Sequence, residues 1–481
     1  MTVTISAQEI IWKCTTPEKS WFNCKKPDFS QTDKDTISEY ITIDSKIRYQ
    51  KIDGWGGCFN ERGWDAMSVL SEKQRTNVIK AFFDPVEGCK LNYGRTPIGC
   101  SDYSTDWYSY NETPGDFEMK NFSIDRDKKK QIPFIKEALS FRPDLKLWGV
   151  PWSSPTWMKD KKDIFLTDPN IQEAYALYFS KYITYYKREG VNIFMVMPEN
   201  EEPNIQAAGN PVNPFWTHFN NDMAFDFLRN YLIPRLKKDQ PACEIWLGTL
   251  HMNQFDFVEK CFNDPIVKSY VKGIGGQWGG DVVFRQMKNN YPTLQLMQTE
   301  TKCNIDIEPL RSVNTNDWTY AIDQWGLIKK YLESGANSFM LWNMILDETG
   351  RSITNWAQCS PVTIDSRSSK ITYNPQFYAF KHFSYFVEPG SIRLKSTGNF
   401  TDQIAFVKTN GDLVLVVQNS HSIDHSVKIK FDGKMIQPVL PPRSWNTFIL
   451  KTSGLISIKN NNKPKTGKTE RITTKVIPKN L

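Results

Sequence analysis

The 481-residue sequence contains no run of apolar residues of the roughly 18 that a membrane-crossing helix needs. Its longest apolar run, Val191–Met197, includes Asn192 and has the length of a buried strand. The nine cysteines lack the spacing of a metal site, and no repeat of solenoid period is visible. These absences argue against an integral membrane protein, a cysteine-rich metal domain and a repeat array. They favour a globular protein with a large core.

The net charge of +7 is concentrated at one end of the chain. Residues 459–481 carry seven Lys or Arg and one acid, Glu470, so the rest of the chain has a charge near +1. A basic segment rich in Asn, Thr and Lys is typical of a solvated, disordered terminus, and a polyanion-binding tail is the alternative. The body of the chain offers no nucleic-acid signal.

Short apolar segments alternate with longer helical patterns over most of the chain, the order that is typical of a parallel sheet with outer helices. We therefore predict an α/β fold, a (β/α)₈ barrel. Ser71 and Gln74 predict a capping box that begins one helix, and Ile171–Glu189 predicts another that ends at Gly190. The predicted barrel strands are Ile52–Phe59, Leu91–Ile98, Leu145–Val150, Ile193–Met197, Ile245–Thr249, Gly273–Trp278, Leu294–Gln298 and Ser338–Asn343.

Beyond about Ser384 the pattern changes to short strands separated by turns such as Asn410-Gly411 and Asp432-Gly433, which is typical of a β-sandwich. The predicted strands here are Ile404–Lys408, Leu413–Gln418, Val427–Phe431 and Thr447–Leu450. Strand-like pieces near the amino terminus complete this accessory sandwich. The predicted organisation is an N-terminal segment (1–48), a catalytic barrel (49–383), a sandwich (384–458) and a basic tail (459–481).

Two groups of acids follow predicted barrel strands directly. Glu199, Glu201 and Glu202 follow the fourth strand, and Glu300 follows the seventh. Catalytic residues of such barrels stand at the carboxyl ends of the strands. Breaking a glycosidic bond needs one carboxyl group that protonates the leaving oxygen and a second that is ionised. Spacing alone allows these acids to belong to an ordinary solvated loop, but it also fits a glycosidase in which Glu201, beside Asn200, is the general acid/base and Glu300 the nucleophile.

From about Ile52 to Asn419 the sequence resembles glycoside hydrolase family 30, which includes glucosylceramidases and β-1,6-glucanases. The segments that carry the resemblance are Arg95–Ser104, Tyr108–Phe117, Pro151–Lys159 and Phe377–Ser384. The resemblance implies a retaining β-glycosidase with Glu201 and Glu300 as its catalytic residues. It implies sugar-binding residues at Asp102, Trp152, Asn200, Trp278, Trp342 and Asn343, and a supporting role for Arg95 beside the nucleophile.

The chain departs from the family pattern at two places. Glucosylceramidases typically carry His-Trp-Tyr after the sixth strand, whereas this chain has Gln277-Trp278-Gly279, so the tyrosine that contacts the nucleophile is missing. This difference favours the β-1,6-glucanase branch. The second departure is Asn200-Glu201-Glu202-Pro203, where relatives have Asn-Glu-Pro, and it leaves Glu202 as an alternative to Glu201.

The expected substrate is therefore a carbohydrate, with β-1,6-glucan or gentio-oligosaccharides first. A glucosylceramidase, a β-xylosidase or a β-fucosidase are the alternatives, and a catalytically silent carbohydrate-binding protein is the alternative from another class. No metal or organic cofactor, nucleic acid or membrane segment is implied. The resemblance implies a secreted or lumenal protein, although residues 1–10 show no signal-peptide pattern. Oligomeric state and endo or exo action are left open.

Overall fold

A computed structural model describes residues 9–30, 37–204, 206, 208, 216–251, 254–277, 279–300 and 318–451. Two subjects of the sequence predictions, Trp278 and the basic tail (459–481), lie outside the described residues. No helix in the described part of the chain is long and apolar enough to span a membrane.

The strands are β1 (Ile10–Thr15), β2 (Phe22–Asn23), β3 (Tyr40–Lys51), β4 (Gly54–Cys58), β5 (Tyr93–Pro97), β6 (Lys146–Val150), β7 (Ile193–Val196), β8 (Glu244–Leu250), β9 (Val271–Gln277), β10 (Gln295–Glu300), β11 (Ser338–Asn343), β12 (Ile345–Asp347), β13 (Val362–Ile364), β14 (Ile371–Tyr373), β15 (Ile392–Gly398), β16 (Gln403–Val407), β17 (Leu413–Asn419), β18 (His425–Ser426), β19 (Lys428–Phe431), β20 (Lys434–Ile436), β21 (Val439–Leu440) and β22 (Ser444–Leu450). The helices are α1 (Glu61–Met67), α2 (Glu72–Phe83), α3 (Gln131–Phe141), α4 (Pro169–Arg188), α5 (Asn221–Asp226), α6 (Ile233–Asp239), α7 (Phe255–Asn263), α8 (Pro265–Tyr270), α9 (Asp281–Asn290), α10 (Trp318–Glu333) and α11 (Pro375–Ser384).

Eight parallel strands close into a barrel in the order β10-β11-β4-β5-β6-β7-β8-β9. They coincide with the eight predicted segments, so the predicted (β/α)₈ barrel is confirmed. The segments were recognisable because strands of a parallel barrel are covered on both faces and are therefore apolar along most of their length. Both predicted helix limits are confirmed as well. Ser71 and Gln74 form the capping box of α2, and α4 ends at Arg188, two residues before Gly190, whose φ is +81°.

Large side chains fill the inside of the barrel. Trp148, Trp246, Met195, Met297 and Met340 are buried there in one apolar cluster that reaches the residues of the carboxyl-end mouth. The barrel is therefore a packed core, and its mouth is the place where a ligand has access.

The accessory domain is built around a nine-stranded sheet that joins both ends of the chain, in the order β2-β1-β22-β17-β16-β15-β3-β19-β20. Strands from the amino-terminal segment pair with strands beyond the barrel: β1 runs antiparallel to β22, and β3 pairs with β15 and β19. The predicted sandwich built from both termini is thus confirmed. The prediction missed β15 and the short strands β18, β20 and β21, and the exact domain limits at residues 48, 383 and 458 stay predictions.

His382 of α11, the last barrel helix, ties the barrel to this sheet. Its Nδ1 lies 2.8 Å from the hydroxyl of Thr447 in β22, and its Nε2 lies 3.0 Å from that of Thr15 in β1. Burial lowers the pKa of His382 to about 3. The neutral ring therefore links one strand from each end of the chain to the barrel wall.

Candidate active site

Glu300, the predicted nucleophile, is the last residue of β10 and forms a buried ion pair at the barrel mouth. Nη1 of Arg95 in β5 donates to Oε2 of Glu300 at 2.8 Å, and both side chains are almost entirely buried. The same guanidinium donates through Nη2 to Oδ1 of Asn200 at 2.6 Å. Arg95 therefore connects the end of the seventh barrel strand to the segment that follows the fourth.

That segment, 199–201, lies between the ends of the neighbouring strands like a continuation of β7. The backbone N–H of Asn200 donates to the carbonyl of Pro151 at 2.9 Å, and that of Glu201 donates to the carbonyl of Thr249 at 2.8 Å. The Thr249 hydroxyl also donates to Oδ1 of Asn200 at 3.0 Å. Because the amide oxygen of Asn200 accepts from both Arg95 and Thr249, its amide nitrogen points away from those donors.

Glu201 has a φ of +62°, in the left-handed region that residues other than glycine rarely adopt. Such a conformation costs on the order of 1–3 kcal/mol and is found most often where the surroundings fix a functional side chain. The carboxyl of Glu201 accepts a hydrogen bond from Nε2 of Gln277 at 2.7 Å. Glu201 as a whole residue is partly exposed at the mouth, but its carboxyl is buried. This burial raises the pKa of Glu201 well above the ordinary value, and the charge of Glu300 is the next largest cause.

The neighbouring Glu202 has different partners. Its Oε1 lies 2.8 Å from Nδ1 of His218, and its Oε2 accepts the backbone N–H of Phe219 at 2.9 Å. Burial raises the pKa of Glu202, and the hydrogen bond from His218 opposes that change. Glu202 is therefore engaged with the segment at His218 and Phe219, whereas the Glu201 carboxyl accepts from Gln277.

Asp102 lies in the loop after β5 and is buried. Nε1 of Trp216 donates to its Oδ1 at 3.2 Å. Burial, followed by the charge of Glu300, raises the pKa of Asp102 to about 7. A carboxyl in this environment exchanges its proton near neutrality and accepts hydrogen bonds from neighbouring hydroxyls when it is ionised.

Two tryptophans form an aromatic wall beside Arg95. The rings of Trp152 and Trp342 are stacked with centroids 5.2 Å apart and planes 13° from parallel. Cζ of Arg95 lies 4.3 Å from the centroid of Trp152 and 5.3 Å from that of Trp342. Such stacking fixes the guanidinium in position and surrounds it with apolar surface.

Asn343 is a predicted sugar-binding residue whose amide oxygen and amide nitrogen both have hydrogen-bond partners in the protein. Its Oδ1 accepts from Nδ2 of Asn60 at 2.9 Å, and its Nδ2 donates to Oε1 of Gln358 at 2.7 Å. The side chain is fully buried. Asn343 therefore sits under the mouth in a network of amides, while the other described residues of the predicted set (Arg95, Asp102, Trp152, Asn200, Glu201, Glu300 and Trp342) come together.

Sequence reasoning missed two polar contributors, Gln277 and Trp216. Gln277 had a recognisable signal, since it ends the sixth barrel strand and thus reaches the same mouth as Glu201 and Glu300. Trp216 had none. Its contact with Asp102 joins residues 114 positions apart in the sequence.

Two family models match the chain. One, described as the glycosyl hydrolase family 30 TIM-barrel domain, matches residues 52–387, and the other, described as the glycosyl hydrolase family 30 beta sandwich domain, matches residues 390–448. Together they account for the barrel and for the strands that follow it.

Individual relatives carry two kinds of name. The chain is 30% identical over 444 residues to the putative glucosylceramidase 3 of Caenorhabditis elegans, covering 87% of this chain and 83% of that protein. It is 23% identical over 437 residues to an endo-1,6-beta-D-glucanase of Trichoderma harzianum, covering 83% of this chain and 84% of that protein. The crystal structure of SrfJ from Salmonella typhimurium has the same fold, with a TM-score of 0.81, 24% identity, and coverage of 92% of this chain and 100% of that one.

Proposed function

Since the chain belongs to glycoside hydrolase family 30 and is a glycoside hydrolase, we propose that it is a retaining β-glucosidase-type enzyme with Glu201 as general acid/base and Glu300 as nucleophile. One observation carries the assignment: Arg95 holds the Glu300 carboxylate at 2.8 Å, while the nearby Glu201 has its pKa raised by burial and by the charge of Glu300. Two carboxyl groups in such different environments fit the ionised and protonated members of a glycosidase pair.

The proposed reaction is a double displacement. The ionised Glu300 attacks the anomeric carbon while Glu201 gives its proton to the leaving oxygen, and the glycosidic bond breaks. A covalent glucosyl ester on Glu300 results. Glu201, now a carboxylate, takes a proton from water, the water attacks the anomeric carbon, and the Glu300 carboxylate leaves.

The residues around the pair have proposed roles in holding the sugar. Asp102 accepts hydrogen bonds from sugar hydroxyls, Asn200 donates one through its amide nitrogen, and Trp152 and Trp342 form an apolar wall. Trp278, which lies outside the described residues, stays in the proposed set on the family resemblance. Asn343 also stays in the proposed sugar-binding set on the family resemblance, with its amide held in place by Asn60 and Gln358.

β-1,6-Linked glucan or gentio-oligosaccharides are the first proposed substrates. The supporting feature is Gln277-Trp278-Gly279, which begins at the last residue of the sixth barrel strand and lacks the tyrosine that glucosylceramidases typically have there. Glucosylceramide is the second candidate, because the 30%-identical relative is named a putative glucosylceramidase. The two substrates differ in the leaving group, which is a sugar in one and a lipid in the other.

The test is the product profile from linear β-1,6-glucan over time, followed by chromatography, with Glu300→Gln as the matched control. We expect release of glucose or gentio-oligosaccharides by the wild type and none by the control. The size distribution separates exo from endo action. Release of glucose from glucosylceramide in detergent, with none from β-1,6-glucan, would replace the first substrate by the second.

A further inference from the structure

Gln277 is a buried amide between the two proposed catalytic residues, and no step of the double displacement uses it. It is the last residue of β9, and its side chain is fully buried. Its Nε2 donates to Oε1 of Glu201 at 2.7 Å and to Oδ1 of Asn200 at 3.4 Å. The short bond to Glu201 is therefore the main contact of this amide nitrogen.

The oxygen of the Gln277 amide also has a hydrogen-bond partner. The hydroxyl of Thr299, the residue before Glu300, donates to Oε1 of Gln277 at 3.2 Å. Turning the amide over would place its oxygen against Oδ1 of Asn200, which has no proton to donate, and against the Glu201 carboxyl, so the acceptors around Nε2 favour the present orientation. Thr299, Gln277 and Glu201 thus form one hydrogen-bonded chain that runs from the nucleophile's strand to the acid/base.

The backbone of β9 allows this chain to form. A Cβ added at Gly275 would lie 2.6 Å from the side chain of Met197 and 2.7 Å from Cγ2 of Thr299. Any other residue at this position would force the side chains of Met197 and Thr299 to move. Glycine lets the strand approach closely enough for Gln277 to reach both Thr299 and Glu201.

The amide N–H of Gln277 interacts differently with the ionised and the protonated forms of the Glu201 carboxyl. It donates to the carboxylate that exists after proton transfer, and a donor stabilises the ionised form of a carboxyl more than the protonated form. This bond lowers the pKa of Glu201 and so opposes burial and the charge of Glu300, which raise it. The glutamine side chain is uncharged at every pH of an enzyme assay, so its N–H donor is present throughout the catalytic cycle.

We infer that Gln277 is a positioning residue that holds Glu201 as an ionised, correctly aimed base in the second half of the reaction, when water attacks the glucosyl ester. The inference rests on the proposed role of Glu201. Its consequence is an asymmetry: removing the donor slows the step in which Glu201 acts as a base more than the step in which it acts as an acid.

Two aryl β-glucosides allow formation and hydrolysis of the glucosyl ester to be measured separately in the Gln277→Ala variant. The dinitrophenolate group of a dinitrophenyl glucoside leaves without protonation, so hydrolysis of the ester limits kcat on this substrate. On a phenyl glucoside, formation of the ester limits kcat. We expect kcat to fall about tenfold on the dinitrophenyl substrate, and by a smaller factor on the phenyl substrate. Azide attacks the anomeric carbon without needing a base and displaces the Glu300 carboxylate. It therefore restores turnover of the dinitrophenyl substrate and yields β-glucosyl azide.

The pH profile is the second readout. With the donor gone, the pKa of Glu201 rises further, so the limb of kcat/KM that falls with increasing pH moves to higher pH. Gln277→Glu, which keeps the shape of the side chain, moves that limb in the same direction. Gln298→Ala removes a buried glutamine from the adjacent strand β10 and is expected to leave the ratio of the two kcat values and the pH limb unchanged.

Equal losses on both substrates, no azide product and an unmoved pH limb in both Gln277 variants would show a purely structural role and overturn the inference. Glu201→Ala is assayed with azide in parallel. Glucosyl azide from Glu201→Ala together with that negative result for Gln277 would leave the proposed function standing. Absence of glucosyl azide from a folded Glu201→Ala would instead contradict the acid/base assignment on which the inference rests.

Discussion

The guanidinium of Arg95 donates to the carboxylate of Glu300 at 2.8 Å, and neither side chain has appreciable contact with solvent. The ion pair joins the second barrel strand to the seventh across the mouth. A buried carboxylate without such a partner would be costly to ionise, so this pair explains how Glu300 remains available as a nucleophile.

Arg95→Lys is expected to lower kcat/KM by at least about 100-fold and to destabilise the fold by roughly 3 kcal/mol, within the range for breaking a buried ion pair. A single ammonium cannot replace the planar fork that reaches both Glu300 and Asn200. Steady-state kinetics and urea unfolding measure the two effects. Arg285→Lys is the matched control, because Arg285 pairs with Asp281 at 2.8 Å but is half exposed. Equal behaviour of the two variants would contradict the role given to Arg95.

Glu202→Gln separates the two adjacent glutamates. Glu202 contacts His218 and the backbone of Phe219, so its replacement is expected to cost roughly 1–3 kcal/mol of stability while kcat stays within a few-fold of the wild type. Glu201→Gln is expected to remove nearly all turnover of a substrate with a poor leaving group. Thermal unfolding and kinetics on both variants test this. The reverse pattern, with Glu202→Gln inactive and Glu201→Gln active, would transfer the acid/base role to Glu202.

The stability of the protein is expected to fall as the pH rises from about 4 to about 7, partly because of Asp102. The pKa of this carboxyl is about 7 in the folded protein and near its ordinary value of 3.8 when unfolded. The folded state therefore binds the proton more tightly. The stabilisation is complete below the unfolded pKa and is lost as the pH rises through the folded one.

Asp102→Asn removes this proton linkage. Urea unfolding at several pH values is expected to give a shallower slope in the variant, by up to about 1.4 kcal/mol per pH unit, the limit for one proton. Other buried carboxyls contribute the remaining pH dependence of the free energy of unfolding in both the variant and the wild type. Identical slopes for variant and wild type would show that Asp102 titrates normally.

Trp342→Ala is expected to raise KM strongly and to cost roughly 3–5 kcal/mol of stability, because it removes both the aromatic wall and the partner of Trp152. Trp342→Phe is expected to show a smaller rise in KM and a smaller loss of stability than Trp342→Ala. Trp246→Phe is the comparison for packing alone: its ring belongs to the same apolar cluster, and its Nε1 donates to Glu244 in its own strand. A KM for Trp342→Ala no higher than that for Trp246→Phe would show that the wall does not contact the sugar.

The barrel was predictable because most of its strands contain a short apolar run and alternate with helical patterns along the chain. This pattern indicated both the fold and the positions of Glu201 and Glu300 at strand ends. The pairing of β1 with β22 was foreseen only as a sandwich shared by the two termini, since register between distant segments leaves no local pattern.

Contacts within the mouth were less predictable. The hydrogen bond of Gln277 to Glu201 depends on the approach of β9 at Gly275, and that of Trp216 to Asp102 joins residues 114 positions apart in the sequence. Asn343 was assigned to sugar binding on the family resemblance and stays a prediction, but the hydrogen bonds of its amide to Asn60 and Gln358 could not be foreseen from the sequence. Side-chain direction and long-range partners, which decide these cases, are not encoded in spacing along the chain.

The most direct test of the account is to trap the covalent intermediate. Incubation with a 2-deoxy-2-fluoro-β-glucoside that carries a good leaving group slows hydrolysis of the ester, and mass spectrometry of the intact protein and of its peptides locates the sugar. The account predicts one fluoroglucosyl group, attached to Glu300, and the β-anomer as the first product of normal turnover in NMR. A label on another residue, or the α-anomer as first product, would contradict the proposed mechanism.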